Sequence, residues 1–406
     1  MAPTFPFTGL DPVEIFAVED RAAQLVWRDL PDGAVGAVVK GKDQILGVGG
    51  RPGAAEITDL DPDTAHLIDV TLDGRVIAQR TIQTTATLQG PPLTRIATIS
   101  DLHLGEEGFG LVKEMREQPG AGDAYALRCA KAAVREATAW GADLLVIKGD
   151  ITELGLPHHW ELFDELLATI TIPVIAIPGN HDTFGKPGSL DATAELQRRG
   201  LFPETVSSWD FEGIRVVAAD TTTPRHTWGR IRHLSDELSA AVDADGPALL
   251  LLHHHLETHF YPRIWPLGTP KRQADGVLDQ LIATNPDILV SSGHTHRNRS
   301  RRMGSAVLTE VGATKDHPGV WAGYVAHPTG IRQVVRRVAD PSCLEWNDRT
   351  HAAVGGVWGR YAPGRINERS FVHTWSTPHG TANTVTAVAA GVQPDTSSDA
   401  TSSASV

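Results

Sequence analysis

Between about Val13 and Thr85, apolar and polar residues alternate in short runs, EIFAVED, AAQLVWRDL, GAVVKG, TAHLIDVTLDG and RVIAQRTIQTT, each closed by turn-forming residues. A period of two with no helical period predicts half-buried strands, and so a small all-β unit over 13–88 that can bury its own faces. Gly90-Pro91-Pro92 then predicts a stiff linker. From Arg95 the pattern changes to short, wholly apolar runs separated by longer stretches of helical spacing. The runs at 96–100, 144–147, 174–177, 216–218, 249–252 and 288–291 predict strands, and 124–140 and 160–169 predict helices. Strands apolar on both faces, with helices between them, predict an α/β layered domain over 93–345. Past Gly380, Ser, Thr and Ala dominate, which predicts a disordered tail over 381–406.

Composition narrows the possible partners. The 406 residues carry 36 Lys+Arg against 49 Asp+Glu, a net charge of -13. That balance repels phosphate backbones and anionic lipid, and argues against nucleic acid as the main partner. No apolar run approaches the ~18 residues of a membrane span, and no basic stretch leads into an apolar one near Met1, so the expectation is a cytoplasmic, non-membrane protein. The two cysteines, Cys129 and Cys343, match neither a disulfide framework nor a Cys-rich zinc site. Any metal must therefore be held by His and carboxylate.

Five polar clusters each stand just past an apolar strand: Asp101-Leu102-His103, Gly149-Asp150, Gly179-Asn180-His181-Asp182, His253-His254-His255 and Gly293-His294-Thr295-His296. Ends of parallel strands are where α/β folds place their sites. Carboxylate, imidazole and amide oxygen suit Mn, Fe or Zn, and a carboxylate can bridge two ions. With 39 Gly, 18 His and six Asn in the chain, chance supplies Gly-His-x-His about 0.08 times and Gly-Asn-His about 0.03 times. Each match alone is weak, but five strand ends sharing one chemistry are not explained by separate turn caps or surface histidines. Other features read as structural: the run Arg297, Arg299, Arg301 and Arg302 as a solvated basic loop, and Trp140, Trp160, Trp228 and Trp265 as core or rim. The insertion Gly105 to Gly122, with Glu106, Glu107 and Glu114, either shapes a pocket or covers a sheet edge.

Two resemblances follow from these residues. Trp27 on an early strand, the turn Leu60-Asp61-Pro62-Asp63-Thr64, a strand opening at His66 and the threonines at 84 and 85 resemble a fibronectin type III sandwich, with His66 where that family usually has a corner Tyr. The ordered set D-x-H, G-D, G-N-H-D, a His cluster and G-H-x-H resembles the calcineurin-like metallophosphoesterases over about 95–310. That resemblance implies a layered α/β/β/α sandwich holding two divalent transition-metal ions (Mn, Fe or Zn). It implies one ion on Asp101, His103 and His296, a second on Asn180, His294 and a His of the triple, and Asp150 bridging. Leu256 replaces the proline of the family's His-x-Pro form, a spacing that favours His254, with His253 the alternate. His181 is implied as the group that protonates the leaving oxygen, oriented by Asp182. The run Gly149-Asp150-Ile151-Thr152-Glu153-Leu154-Gly155 looks like the class III cyclic-nucleotide phosphodiesterases. Purple acid phosphatases differ in lacking a His at the position of His103 and in placing a Tyr where Glu153 stands. The implied activity is hydrolysis of a small nucleotide or glycerol-type phosphodiester; a phosphomonoesterase or protein phosphatase, or a metal-free scaffold of the same fold, are the alternatives.

Overall fold

The structure, a computed structural model, describes residues 9–117, 122–243, 246–259 and 266–377. Trp265 and the expected tail over 381–406 lie outside the described residues. The alternating N-terminal text forms seven strands: β1 (Val13–Val18), β2 (Ala23–Trp27), β3 (Ala34–Val39), β4 (Lys42–Val48), β5 (Gly53–Ile57), β6 (Ala65–Leu72) and β7 (Arg75–Gln83). They build a three-stranded sheet in the order β1-β2-β5 and a four-stranded sheet in the order β4-β3-β6-β7. Leu25, Trp27, Val35, Ile57, Ile68 and Val70 fill the space between them. His66, buried, donates from Nε2 to the carbonyl of Asp61 at 2.9 Å, and the Thr84 hydroxyl donates to the same oxygen at 2.6 Å. The imidazole thus ties the corner to backbone five residues upstream, the job a tyrosine hydroxyl performs elsewhere.

The layered part begins with β8 (Thr94–Ile99), α1 (Tyr125–Ala139), β9 (Leu144–Lys148), α2 (Pro157–Leu167), β10 (Val174–Ile177) and α3 (Ala192–Arg198). It continues through β11 (Val206–Phe211), β12 (Ile214–Ala219), α4 (Ser235–Val242), β13 (Ala248–Leu252), α5 (Lys271–Thr284), β14 (Ile288–Ser292), β15 (Arg299–Met303) and β16 (Ala306–Glu310). The hairpin β17 (Val320–His327) and β18 (Gly330–Arg337) follows, then α6 (Pro341–Thr350), α7 (Val357–Tyr361), α8 (Ile366–Arg369) and β19 (Ser370–Thr374). Two six-stranded sheets result, ordered β10-β9-β8-β17-β18-β19 and β11-β12-β13-β14-β16-β15. Strand β13 shows how they stack. Leu249 and Leu251 enter the core shared with the first sheet, while Ala248, Leu250 and Leu252 pack with Leu238 of α4 and Leu278 of α5. Successive side chains on opposite faces put sheet against sheet and helices outside. Parallel pairing of β8, β9 and β10, and of β12, β13, β14 and β16, points all their C-terminal ends to one side.

The apolar-run reading missed β17 and β18. All sixteen of their residues are buried, including Arg332, Gln333, Arg336 and Arg337, because the N-terminal sandwich packs on β18 and α1 packs on β17. The sheet also runs on to β19, past residue 345. Docking is largely ionic. Asp348 pairs with Arg28 and with Arg337, each at 2.8 Å; Arg332 pairs with Asp20 at 2.7 Å, and Arg336 with Glu19. The Gln24 side chain exchanges two hydrogen bonds of 2.9 Å with the backbone of Arg337, and Arg369 lies 4.0 Å over the Phe16 ring. Phe16, Ala17 and Val26 belong to the large core of the layered part.

Asp348→Ala leaves Arg28 and Arg337 buried without their shared carboxylate, which is expected to cost about 3–5 kcal/mol. Urea unfolding should show one transition moved to lower midpoint. Two separated transitions, or an unmoved midpoint, would mean that the sandwich contributes nothing to the stability of the layered part.

Candidate metal centre

The five polar clusters meet at the C-terminal ends of β8, β9, β10, β13 and β14. The chain turns sharply there, and Asp101, His103, Asp150, His294 and His296 all adopt left-handed backbone, with φ of 55, 47, 48, 67 and 50°. Such conformations are costly for residues with a Cβ and concentrate at functional sites. Glycines open the remaining space: a Cβ on Gly179 would collide with the Asp150 carboxylate, and one on Gly149 with the His253 ring.

Four imidazoles have their outer nitrogen already committed. His103 donates from Nδ1 to Glu153 (2.9 Å), His296 from Nδ1 to Asp316 (2.7 Å), His253 from Nδ1 to the Lys148 carbonyl (2.8 Å) and His294 from Nε2 to the Leu267 carbonyl (2.9 Å). Each donation fixes a tautomer and leaves the inner nitrogen as an acceptor, the usual way a metal-ligating histidine is held. Those inner nitrogens face other acceptors. His103 Nε2 lies 3.2 Å from His296 Nε2 and 3.6 Å from Asp150 Oδ2. His296 Nε2 lies 3.5 Å from Asp101, and His253 Nε2 lies 3.1 Å from Asn180 Oδ1 and 3.3 Å from Asp150 Oδ1. Lone pairs gathered this closely and buried repel unless a proton or a cation lies among them. The ligand atoms of Asp101, His103 and His296, and those of Asp101, Asp150 and His253, each fall within 4.8 Å of one another. The donor set therefore fits borderline divalent metal ions.

Three expectations change. Of the histidine triple, the ring that meets Asp150 and Asn180 is His253, directly after β13. His254 turns its Nδ1 to the Thr221 hydroxyl at 2.9 Å and is tilted against His294, ring centres 4.7 Å apart, with a ring nitrogen within 4.8 Å of those of His253 and His294. Asp182 does not touch His181. It accepts from the amides of Ile151, Thr152 and Gly179 (3.1, 2.7 and 2.9 Å) and from the Thr152 hydroxyl, clamping two ligand loops together. His181 leans instead on Glu153, its Nδ1 3.1 Å from that residue's carbonyl and 3.3 Å from its carboxylate. The basic run is not a solvated loop either: Arg297 and Arg301 grip the buried Glu310 at 3.1 and 2.8 Å.

Charge follows this wiring. Burial works against a charged His181 and a charged His253, yet the Asp150 carboxylate outweighs it and raises both to about 9. Burial and the neighbouring His253 hold His254 well below the ordinary histidine range, and burial with the other ring histidines does the same to His294. Burial and the Asp150 charge push Asp182 up to about 6. Burial opposes ionisation of Asp316, but His296 and Lys315 bring it down to about 2.

The candidate ligands floor a cavity of ≈ 240 Å³ whose walls are Glu106, Phe109, Leu111, Lys315, Val354 and Trp358, with His181 on the rim. The insertion that begins at Gly105 thus shapes the pocket. Trp228 lines a separate hollow with Leu267 and Lys271, and Trp160 is core. Sequence reasoning gave no role to Asp316, Lys315 or Trp358. The signal was present: Thr314-Lys315-Asp316 is one more polar cluster past an apolar strand, β16.

Charged His181 and His253 stabilise the metal-free fold fully below their ordinary value of 6.5, and that contribution is lost as pH rises through about 9. The melting temperature of metal-free protein should therefore fall across this window. Affinity for a divalent ion should strengthen over the same window, because the ion displaces the His253 proton. Calorimetric titration in buffers of different ionisation enthalpy reads that proton; a melting temperature that rises between 6.5 and 9 contradicts the wiring.

Residues 94–298 match the family described as calcineurin-like phosphoesterase. A protein of Synechococcus sp. named "probable cyclic nucleotide phosphodiesterase" is 32% identical over 193 residues, 45% of this chain and 70% of that protein. A glycerophosphodiester phosphodiesterase of Enterobacter lignolyticus is 24% identical over 235 residues, 54% of this chain and 75% of that one. Among solved structures, a dimetal phosphatase from Danio rerio shares 14% identity at a TM-score of 0.43, covering 61% of this chain and 98% of its own. No helix among the described residues is long and apolar enough to cross a membrane. With its family match spanning 205 of 406 residues on the strand ends that carry the ligands, the chain belongs to the calcineurin-like phosphoesterases and is a phosphoric ester hydrolase.

Proposed function

We propose that the protein is a dinuclear metallophosphodiesterase of small phosphodiesters. The observation that carries this reading is the convergence of acceptor atoms on Asp150: His103 and His296 on one side, Asn180 and His253 on the other. One ion is assigned to Asp101, His103 and His296, the second to Asn180, His253 and His294, and Asp150 is shared. Such ions supply Lewis acidity toward phosphoryl oxygens and lower the pKa of water. The relatives named for cyclic nucleotides and for glycerophosphodiesters support a diester as substrate. A cytoplasmic setting fits Cys129 and Cys343, which are both buried as free thiols.

The chain's own residues supply the rest. Glu153 holds the Nδ1 side of His181, which leaves Nε2 to deliver a proton to the departing oxygen at the cavity rim. The same carboxylate holds His103, so one side chain sets the orientation of a candidate ligand and of the candidate acid. Asp316 does the same for His296, and the Trp358 indole N–H donates to its other oxygen at 3.3 Å. Asp182 keeps the loop of Asp150 and the loop of Asn180 at fixed separation.

His181→Asn should retain two ions per chain and lose about 10² to 10⁴ in kcat. The loss should be smaller for a nitrophenyl ester, whose leaving group needs no proton, than for an alkyl or nucleoside ester. Loss of an ion would instead make His181 a ligand. Asp150→Asn should weaken both ions together, as metal analysis after gel filtration would show. Across a panel of mono- and diesters with metal-reconstituted protein, kcat/KM should favour diesters; a preference for monoesters overturns the diesterase reading.

A further inference from the structure

One wall of the cavity has no polar chemistry. Leu111, 76% exposed, and Val112, 82% exposed, form the tip of the insertion after β8, and Val354, 36% exposed, stands across from them ahead of α7. Leu111 and Val354 line the same cavity as His181 and His296. The two loops are clamped to each other: the Glu114 carboxylate accepts from the Val112 amide at 3.1 Å and is also held by that of Val354. A rim of exposed aliphatic side chains opening onto a buried polar centre marks a binding surface.

Val354 provides an independent observation. Its φ is 54°, and it is the one β-branched residue among the non-glycine residues described with positive φ. A β-branched side chain in that region is an outlier, since glycine or asparagine fits there without strain. Glycines follow at 355 and 356, also left-handed, so the turn itself does not call for valine. What the strained position achieves is to present a branched aliphatic group to the cavity.

We propose that this rim is a subsite for an alkyl- or acyl-type arm of the phosphodiester substrate, an inference that rests on the phosphodiesterase reading and narrows it. A nucleobase fits less well, because stacking needs an open aromatic face. Phe109 and Trp358 are closed edge to face on each other at 5.6 Å; Trp358 also lies against His296 at 5.7 Å, and Lys315 Nζ sits 4.7 Å over the Phe109 ring. The polar groups of the neighbouring wall are consumed as well, with Lys315 paired to Glu106 at 2.6 Å and to Asp316 at 3.2 Å. What remains open is aliphatic.

The test uses the metal-reconstituted full chain and 4-nitrophenyl alkyl phosphodiesters with arms from methyl to octyl, below their micelle concentrations. Dissociation constants of n-alkylphosphonates of the same lengths are measured by calorimetry. The subsite makes kcat/KM climb, and the dissociation constant fall, by about two- to fourfold per methylene until the rim is filled. Leu111→Ser and Val354→Gly should each flatten both slopes, and Val354→Gly should melt no lower than the unaltered protein because its backbone strain is relieved. Turnover with flat slopes overturns the subsite and leaves the diesterase reading standing. Length-dependent phosphonate binding without turnover of any diester supports the subsite and overturns the diesterase reading. Steep slopes that neither substitution alters place the arm elsewhere and overturn the assignment to this rim.

Discussion

Acceptors facing acceptors is the constraint on which this molecule is organised. The inner nitrogens of His103 and His296 face each other across 3.2 Å, and Asp150 lies between them and the His253–Asn180 pair. The amides of His181 and His294 donate to the Asp150 and Asp101 carboxylates, but the ring N–H groups of His103, His296, His253 and His294 point away, to Glu153, Asp316 and backbone carbonyls. Much of the remaining architecture serves to hold it. Parallel strands from two sheets deliver the ligands to one edge, left-handed backbone lets each chain turn immediately, and Asp182 ties the loops after β9 and β10. A cation is the natural completion of such a cluster, and in its absence protons on His253 and His181 take part of its place.

How much of this could be read from the sequence depends on how local the signal is. The strand-end clusters were legible because ligand type, glycine and a preceding apolar run lie within a few residues of one another. Secondary wiring was not legible. Asp182 follows His181 directly, yet peptide geometry sends its carboxylate to three backbone amides, whereas Glu153, 28 positions earlier, reaches the ring. Between His253 and His254 the spacing to Leu256 was a poor guide, since the pleat of β13 decides which ring faces Asp150. Strands β17 and β18 escaped because their burial comes from contact with a distant part of the chain, which lets arginine and glutamine occupy buried positions.

The N-terminal sandwich shows the same division. Its strands and turns follow from alternation, and even the replacement of a corner tyrosine by His66 works through one hydrogen bond to Asp61. Its attachment does not follow from local pattern: Arg28 is far in sequence from Arg337 and Asp348, with which it forms one buried ionic contact. Arg337 ends β18, which shares a sheet with β8 and β9, so the sandwich braces the sheet from which Asp101 and Asp150 emerge.

The most direct test of the central claim is anomalous diffraction from crystals of the manganese-loaded protein. Two peaks are expected about 3.5–4 Å apart, both within bonding distance of the Asp150 carboxylate, with His253 and not His254 bound to the ion that Asn180 holds. A single peak, or two peaks that do not share Asp150, would contradict it.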